Sequence, residues 1–136
     1  MNNMEQTLSI IKPDAVERNI EHEIKEMFKN NGFLILKEKK IILEKIEAEK
    51  FYKVHETKPF YNDLCTYLSS GTIIAMILQK DNAILDNREL MGATNPEEAK
   101  EGTIRKKYGI SIDKNSVHGS DSIENAKIEI DFFFKD

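Results

Sequence analysis

The chain has 136 residues, with 24 acidic and 20 basic side chains and a formal net charge of −4. This length suffices for one domain with its own hydrophobic core, and the 40% apolar and 32% charged content excludes a disordered chain. The acidic excess argues against a dedicated nucleic-acid-binding protein, which usually has a basic face. We therefore predict a single domain over residues 1–136.

The first third of the chain has the pattern of two strands separated by a helix. Leu8–Ile11 is a short apolar run before Lys12–Asp14, which predicts a buried strand ending in a turn. Apolar residues then recur at i, i+4, i+7 and i+8 from Ile20, and Gly32 is placed to end that helix. Phe33–Leu43 has β-rich ends around a charged middle, which predicts a long strand with an exposed centre.

The middle of the chain has two predicted helices, a strand and a third helix. The helices are Lys45–Glu56 and Tyr61–Ser69. Thr72–Leu78 lies in the most apolar run and predicts a central strand. Asn82–Met91 predicts a short helix, and Gly92–Gly102 a long loop of the kind that is often functional.

The end of the chain predicts one more helix. Asp121 and Glu124 have the spacing of a capping box, and apolar residues follow at helical intervals. The residues predicted to face the core are Ile123, Ala126, Ile130, Phe133 and Phe134. With a short segment around His118 as the last strand, the order of elements is the split β-α-β pattern. It predicts an α/β (α+β) fold, a ferredoxin-like sandwich with a four-stranded antiparallel sheet covered by helices.

Cysteine use and the first residues indicate the compartment. The lone Cys65 excludes an internal disulfide framework and fits a reducing environment, where we expect it to pack as a small apolar side chain. Met1–Glu5 lacks the basic head and apolar stretch of a signal peptide. No apolar run approaches the roughly 18 residues that cross a bilayer. We predict a cytoplasmic protein with no membrane partner.

The segment Asn115–Ser122 places a histidine among polar residues. An imidazole titrates near neutrality, so a neutral nucleophilic nitrogen is available at cellular pH. Core histidines usually have apolar neighbours, which His118 lacks. A metal site built from His22, His55 and His118 has no supporting spacing. From the residues alone, His118 is either a candidate nucleophile or a structural polar contact.

Phosphate chemistry is the reaction class that fits the cations of the sequence. The sequence contains no P-loop, no GxGxxG and no kinase catalytic loop. Lys12, Arg88 and Arg105 lie in or beside predicted loops, from which they could converge on a polyanion. A histidine among them could attack phosphorus. Taken singly, each cation would instead be a solvated surface charge.

Four sequence blocks follow the order and spacing of a known family, within a likeness from about Gln6 to Phe134. The blocks are Ile10–Val16, Gly92–Pro96, Gly102–Arg105 and Asn115–Ser122. In these blocks the chain resembles nucleoside diphosphate kinase. The resemblance implies transfer of the γ-phosphoryl group from a nucleoside triphosphate, chiefly ATP, to a nucleoside diphosphate. It also implies a ping-pong mechanism through a pros-phosphohistidine on His118.

The resemblance assigns the other catalytic and phosphate-binding residues. Glu129 would hold the second imidazole nitrogen and Ser120 would support it, although Glu129 could face solvent and Ser120 could cap a helix. Lys12 and Tyr52 would complete the catalytic group. The implied phosphate and ribose contacts are Lys12, Tyr52, Arg88, Thr94, Arg105 and Asn115.

The resemblance also assigns the base and the metal. Phe60 would stack on the base, with Leu64 and Ile112 nearby, although a core phenylalanine is the alternative for Phe60. Stacking uses the π face, so every base and either sugar would be accepted. The sequence has no carboxylate cluster for a metal, so Mg²⁺ would arrive on the nucleotide phosphates.

Assembly and other functions complete the predictions. The family implies a homo-oligomer, either a tetramer or a hexamer. A nucleotide-binding or protein-interaction module without turnover would be favoured by a broken motif, and none is broken. Nucleic-acid binding is suggested only by Lys37, Lys39, Lys40, Lys106 and Lys107, which we expect to be solvated at this net charge, so no specific nucleic-acid partner is predicted.

Overall fold

A four-stranded antiparallel sheet forms the centre of the fold. The strands are β1 (Met4–Ile11), β2 (Leu34–Ile42), β3 (Thr72–Asp81) and β4 (Val117–Gly119). Their spatial order is β2-β3-β1-β4, and every neighbouring pair is antiparallel. The sheet confirms the predicted fold class.

The computed structural model describes residues 4–134. Part of the signal-peptide prediction rests on residues 1–3, which lie outside the described residues. Seven helices pack on the described sheet: α1 (Pro13–Glu17), α2 (Glu21–Asn30), α3 (Lys45–Phe51), α4 (Tyr61–Leu68), α5 (Ala83–Met91), α6 (Ile104–Tyr108) and α7 (Ile123–Phe134). None of the helices in this range is both long and apolar enough to span a bilayer.

The sheet separates two hydrophobic cores. Successive side chains of a strand point to opposite faces, so Ile10 and Ile11 of β1 enter different cores. The first core is covered by α1, α2, α5 and α6. The second lies under α3, α4 and α7 and contains Cys65, which is fully buried as predicted.

Gly32 ends α2 as predicted. Its φ of +87° is a left-handed conformation that costs glycine little. The Gly32 N–H donates to the Lys29 carbonyl and the Phe33 N–H to the Phe28 carbonyl, which is the Schellman pattern. The rings of Phe28 and Phe33 then meet edge to face with centroids 5.8 Å apart. Phe33, the residue just before β2, is therefore packed in the first core where the strand begins.

Several predicted boundaries are wrong. The expected turn at Lys12–Asp14 is the start of α1, because Pro13 occupies the first helical position, where its missing N–H is not needed. The expected helix Lys45–Glu56 ends at Phe51 and continues as a 3₁₀ turn, Lys53–His55. Val54 in that turn is 72% exposed, so no packing holds a further α-turn. The loop Gly92–Gly102 contains a 3₁₀ turn at Pro96–Glu98.

The start of α7 also differs from the prediction. The Ser122 hydroxyl, rather than the Asp121 carboxylate, accepts from the Asn125 backbone N–H at 3.1 Å. Asp121 instead accepts from the Asn125 side chain at 2.7 Å, so the predicted capping box is wrong. Ile123 is 64% exposed and does not face the core, whereas Ala126 and Phe133 are buried as expected.

Candidate active site

His118 lies on β4, the short edge strand beside β1. It pairs with Ile10, and its side chain points to the same face of the sheet as α3 and α7. That side chain is 19% exposed, so the ring is held by the protein and still reachable from solvent. Pairing with β1 fixes the backbone of β4, and the position of β4 at the sheet edge leaves the ring partly uncovered.

Glu129 and Ser120 hold the imidazole. The Nε2 atom of His118 lies 2.9 Å from Oε1 of Glu129 on α7. The Ser120 hydroxyl donates to the same oxygen at 2.8 Å and accepts from the Leu8 N–H at 3.3 Å. The Glu129 side chain is only 16% exposed, so the solvent-facing alternative is wrong. Ser120 is buried and does not cap α7.

This contact assigns the tautomer of His118. A carboxylate can only accept hydrogen bonds, so Nε2 must carry the proton that Glu129 accepts. The lone pair of a neutral ring is then on Nδ1. The geometry therefore leaves Nδ1, the pros nitrogen, as the atom able to attack an electrophile.

Two aromatic side chains enclose the imidazole on the α3 side. The Phe51 ring meets it edge to face with centroids 5.3 Å apart, and Tyr52 does so at 6.1 Å. Tyr52 is 5% exposed, and burial together with the negative charge of Glu129 raises the pKa of its phenol. The phenol therefore stays a neutral hydrogen-bond donor beside the histidine.

Gly119 allows β4 to lie close to α5. A Cβ at this position would lie 2.3 Å from Nδ2 of Asn87 and 2.9 Å from Cε of Met91. Asn87 is fully buried, so it cannot swing into solvent to make room. The position after His118 therefore has no room for a side chain, and only glycine fits there.

Replacing Gly119 with alanine should destabilise the protein. Overpacking of this kind costs about 1–3 kcal/mol, which a thermal melt would register as a lower Tm. The matched control is Gly71→Ala, where a Cβ would lie 3.5 Å from Cβ of Pro13, an ordinary contact, and the backbone is not left-handed. A Gly119→Ala variant as stable as the unmodified chain would contradict the close packing.

Lys12 and Asn115 form a buried pair beside β4. Lys12 follows β1, is 5% exposed, and donates from Nζ to Oδ1 of Asn115 at 2.9 Å. The Asn115 side chain in turn donates to the Thr94 carbonyl at 3.1 Å. Three predicted site residues from separate segments are thus connected. The Thr94 side chain itself is exposed.

Lys12 and Arg105 both have a lowered pKa. Burial, followed by the charge of Arg105, lowers the pKa of Lys12 to about 8. Burial and the charge of Arg88 lower the pKa of Arg105 to about 10. Positive charges gathered in this way would be stabilised by an anion between them.

Arg105 and Arg88 contribute differently. The Arg105 guanidinium donates to the Gly92 carbonyl at 3.0 Å and to the Val117 carbonyl at 2.9 Å, so it braces the loop and β4. Its Nε is buried and has no partner in the described part of the chain. Arg88 lies on the exposed surface of α5, where its guanidinium can reach an incoming ligand.

Phe60, Leu64 and Ile112 are the side chains expected around a base, and they differ in burial. Phe60 precedes α4 and is 46% exposed, so the core alternative for this ring is wrong. Leu64 is half-buried at the edge of the second core, and Ile112 is 56% exposed. Their roles around a base remain predictions.

The described residues build no cage for a metal. No group of three or more His, Cys, Asp or Glu side chains between residues 4 and 134 is arranged to hold an ion. A hydrogen bond from Asn125 is the main cause that lowers the pKa of Asp121, and the charges of Arg88 and His118 add smaller effects in the same direction. This donor set fits Mg²⁺ that is held mainly by phosphate oxygens and water.

A surface cavity of about 980 Å³ lies elsewhere and does not mark this site. Its lining includes Asp14, Arg18 and Tyr67, whose polar groups bond to one another. Its lining contains no histidine or cysteine, and His118 is not part of it. The candidate site is defined by its side-chain chemistry.

Two site neighbours were not predicted. Phe51 contacts the His118 ring, and His55 lies between Tyr52 and Phe60. The spacing of Phe51, Tyr52 and His55 places them on adjacent turns of a predicted helix, which was the available signal. Without the fold, the indication that this helix end reaches His118 comes from the family resemblance, which assigns Tyr52 to the catalytic group but not its two neighbours.

Comparisons with known proteins agree with this geometry. A family model described as "Nucleoside diphosphate kinase" matches residues 5–136. A Campylobacter jejuni protein named nucleoside diphosphate kinase is 56% identical over 132 residues, covering 97% of this chain and 96% of the relative. A Nitratiruptor protein of the same name is 56% identical over 131 residues and covers 96% of each.

Solved structures give the same result. The Aquifex aeolicus nucleoside diphosphate kinase superposes with a TM-score of 0.95 at 38% identity, covering 97% of this chain and 96% of that one. The nucleoside diphosphate kinase of Encephalitozoon cuniculi superposes with a TM-score of 0.93 at 36% identity, covering 97% and 90%.

Proposed function

Because the chain belongs to the nucleoside diphosphate kinase family, and so transfers phosphoryl groups between nucleotides, we propose that His118 carries the group between two half-reactions. In the first half-reaction, Nδ1 of His118 attacks the γ-phosphorus of a nucleoside triphosphate. The new bond is P–N, and the bond to the β-phosphate oxygen breaks, which releases the diphosphate. A second diphosphate then takes the group from the histidine, which gives ping-pong kinetics.

The contact between His118 and Glu129 is the observation that supports this proposal most directly. The hydrogen bond between Nε2 and Oε1, with 2.9 Å between the two atoms, orients the ring before substrate arrives. When Nδ1 bonds to phosphorus, the ring becomes positive, and the Glu129 carboxylate stabilises that charge. Ser120 keeps the carboxylate in place from the side of β1.

Lys12, Arg88 and Arg105 would bind the phosphates. Phosphoryl transfer needs positioned positive charge around the equatorial oxygens. The charge of Arg105 lowers the pKa of Lys12, and the charge of Arg88 lowers the pKa of Arg105, so the three cations share one region of the site. Thr94, Asn115 and Tyr52 would add hydrogen bonds to phosphate and ribose. Mg²⁺ carried on the nucleotide phosphates would neutralise further negative charge there.

The direct test is exchange between two nucleotides. The protein is incubated with ATP and GDP, and GTP formation is measured by chromatography, with initial rates over a grid of both substrates. We expect parallel lines in the double-reciprocal plot, as ping-pong kinetics require. Binding of ADP without formation of GTP would instead identify a nucleotide-binding module.

Glu129→Gln should slow catalysis while preserving the fold. Glutamine can still accept from Nε2–H but carries no charge, and hydrogen bonds to charged groups are worth about 1.5–3 kcal/mol. We therefore expect kcat to fall about 10- to 100-fold. The control is Glu124→Gln, an exposed carboxylate of the same helix, which should leave kcat unchanged. Equal rates for both variants would remove Glu129 from the mechanism.

Phe60→Ala should weaken nucleotide binding rather than chemistry. Base stacking on an aromatic ring is worth about 1–3 kcal/mol, so Kd for ADP should rise about 5- to 100-fold. The effect should be similar for adenine, guanine and pyrimidine nucleotides. Phe60→Tyr keeps the π face and should restore affinity. A loss confined to one base would contradict simple stacking.

Compartment and assembly are part of the same proposal. We expect a cytoplasmic, single-domain enzyme that assembles into a tetramer or a hexamer. Exposed apolar side chains on the edge strand β2, Leu34 and Leu36, support the expectation of self-association. Sedimentation velocity measures the assembly, and a monomer at micromolar concentration would contradict it.

A further inference from the structure

His55 belongs to a row of rings between the candidate nucleophile and the candidate base platform. The Tyr52 ring lies 6.1 Å from that of His118, and His55 follows at 6.1 Å from Tyr52. Phe60 ends the row, with its centroid 6.2 Å from that of His55. Since each ring packs on the next, the place of His55 determines the surface on which Phe60 rests.

The backbone around His55 is fixed on both sides. Its N–H donates to the Tyr52 carbonyl at 2.7 Å, and its own carbonyl accepts from the Lys58 N–H at 2.9 Å. Tyr61, the first residue of α4, donates to the Lys58 carbonyl at 3.1 Å. The ring of His55 therefore projects from a rigid turn and connects the end of α3 to the start of α4.

The Nδ1 atom of His55 is shielded from solvent and has no hydrogen-bond partner among the described residues. A proton there would place an N–H and a positive charge where no acceptor is available, which is costly. The neutral ring with its proton on Nε2 fits the site. The ring thus acts in this place as a flat packing surface.

The surrounding charges agree on balance with a neutral ring. Burial is the largest cause that lowers the pKa of His55, followed by the positive charge of Lys58, with a smaller effect from His118. Asp121 and Glu129 act in the opposite direction and do not reverse the shift. These groups come from the turn itself, from β4, from the segment before α7 and from α7.

We propose that neutral His55 is a positioning residue for the nucleobase, which supports Phe60 from the protein side and fixes its ring relative to His118. The inference rests on the proposed function, because it requires a base to stack on Phe60. His55 is not a catalytic residue in this account, since its ring packs on Tyr52 and Phe60 and is separated from His118 by Tyr52. Its loss should therefore change affinity and leave the chemical step nearly intact.

Acid should weaken this support. As the pH falls through the lowered pKa of His55, the ring takes a proton and its seat beside Phe60 becomes unfavourable. The unfolded chain accepts that proton at higher pH, so the stability contribution of His55 is present above about pH 6.5 and is lost below the folded-state pKa. Affinity for nucleotide should follow the same direction.

The test compares four proteins at about pH 8 and about pH 5, because the lowered pKa of His55 lies below the ordinary histidine value. They are the unmodified chain, His55→Ala, His55→Phe and the control His22→Asn, which removes an exposed histidine on α2. Calorimetry gives Kd for ADP, and conversion of GDP to GTP with ATP gives kcat. Titration of the nucleotide phosphates is common to all four, so differences between proteins report on His55.

At the higher pH, His55→Ala should raise Kd for ADP about fivefold over the unmodified chain, which is part of the stacking energy, and change kcat by less than about twofold. At the lower pH the difference in Kd should shrink, because the protonated His55 of the unmodified chain has lost its support as well. His55→Phe keeps a ring and cannot titrate, so it should bind as the unmodified chain does at the higher pH. It should also lose the additional weakening that the unmodified chain and His22→Asn show in acid.

Unchanged ADP affinity in His55→Ala would overturn the proposal, and so would an unmodified pH dependence in His55→Phe. Loss of kcat at constant affinity would overturn it too, because it would place His55 at the chemical step. If His55→Ala does not fold, the His55→Phe comparison decides alone. Absence of GTP formation by the unmodified chain would instead defeat the proposed function, while ADP binding would still report on His55.

Discussion

Replacing His118 with alanine should abolish phosphorylation of the protein by γ-labelled ATP and lower nucleotide exchange by about 10⁴-fold or more. The reason is that no other described side chain combines a free nucleophilic nitrogen with contacts that orient it, as Glu129 and Ser120 do here. Tyr52 has a buried phenol with a raised pKa and cannot replace the imidazole at neutral pH. The measurement is acid-labile, alkali-stable labelling of the protein, followed by the exchange assay.

The position of the phosphoryl group on the ring is a sharper readout. Nε2 of His118 is committed to Glu129, so the phosphoryl group should be on Nδ1, giving the pros isomer. Phosphorus NMR of the labelled, denatured protein separates the two isomers. The tele isomer would contradict the tautomer that the structure assigns, even if His118 were the labelled residue.

The two remaining histidines supply the controls. His22 is exposed on α2 and His55 is separated from His118 by Tyr52, so His22→Asn and His55→Phe should both retain labelling. Labelling that persists in His118→Ala would reject His118 as the nucleophile. Labelling that disappears in His22→Asn would show that the assay reports folding rather than chemistry.

The fold was largely predictable because its strands and long helices have strong hydrophobic periodicity. β3 was recognised from its apolar run, although it extends three residues further, to Asp81, where the run has ended and pairing with Met4 continues. α1 and α6 have only five residues each and were missed, because such short helices are set by Pro13, a Thr103 cap and packing rather than by a repeating pattern. The start of α7 was misread because two neighbouring polar residues can each cap a helix, and only their geometry distinguishes them.

The candidate site was predictable as a set of residues and not as an arrangement. Family resemblance supplied His118, Glu129 and Lys12, and the structure brings the first two into contact. The resemblance did not predict that the Arg105 guanidinium donates to two backbone carbonyls, nor that its charge lowers the pKa of Lys12. It also did not supply His55, because ring packing between segments depends on tertiary structure that local sequence does not encode.

Lys12→Gln should lower kcat/KM by about 10²- to 10³-fold, the range found when one preorganised donor to a developing negative charge is removed. Glutamine keeps a polar donor in the buried position but is one bond shorter than lysine, so the charge is lost and the contact with Asn115 is weakened. The control is Lys106→Gln, an exposed lysine of α6 whose loss should change kcat/KM little. Similar losses in the two variants would mean that overall charge, rather than a positioned Lys12, attracts the nucleotide.

The pH dependence tests the same residue without relying on a single rate. The pKa of Lys12 is about 8 in the nucleotide-free protein, so its positive charge is lost as the pH rises through that value. Because kcat/KM reports the free enzyme, it should fall above about pH 8 in the unmodified chain and lack that fall in Lys12→Gln.

Proton uptake on binding gives a second measurement of Lys12. Nucleotide phosphates favour the charged form of Lys12 and raise its pKa, so binding ADP near that pH should take up a proton. Calorimetry in buffers of different ionisation enthalpy would detect the uptake, and Lys12→Gln should show less of it. Equal proton uptake in both proteins would remove Lys12 from the phosphate site, because a lysine in contact with phosphate must respond to its charge.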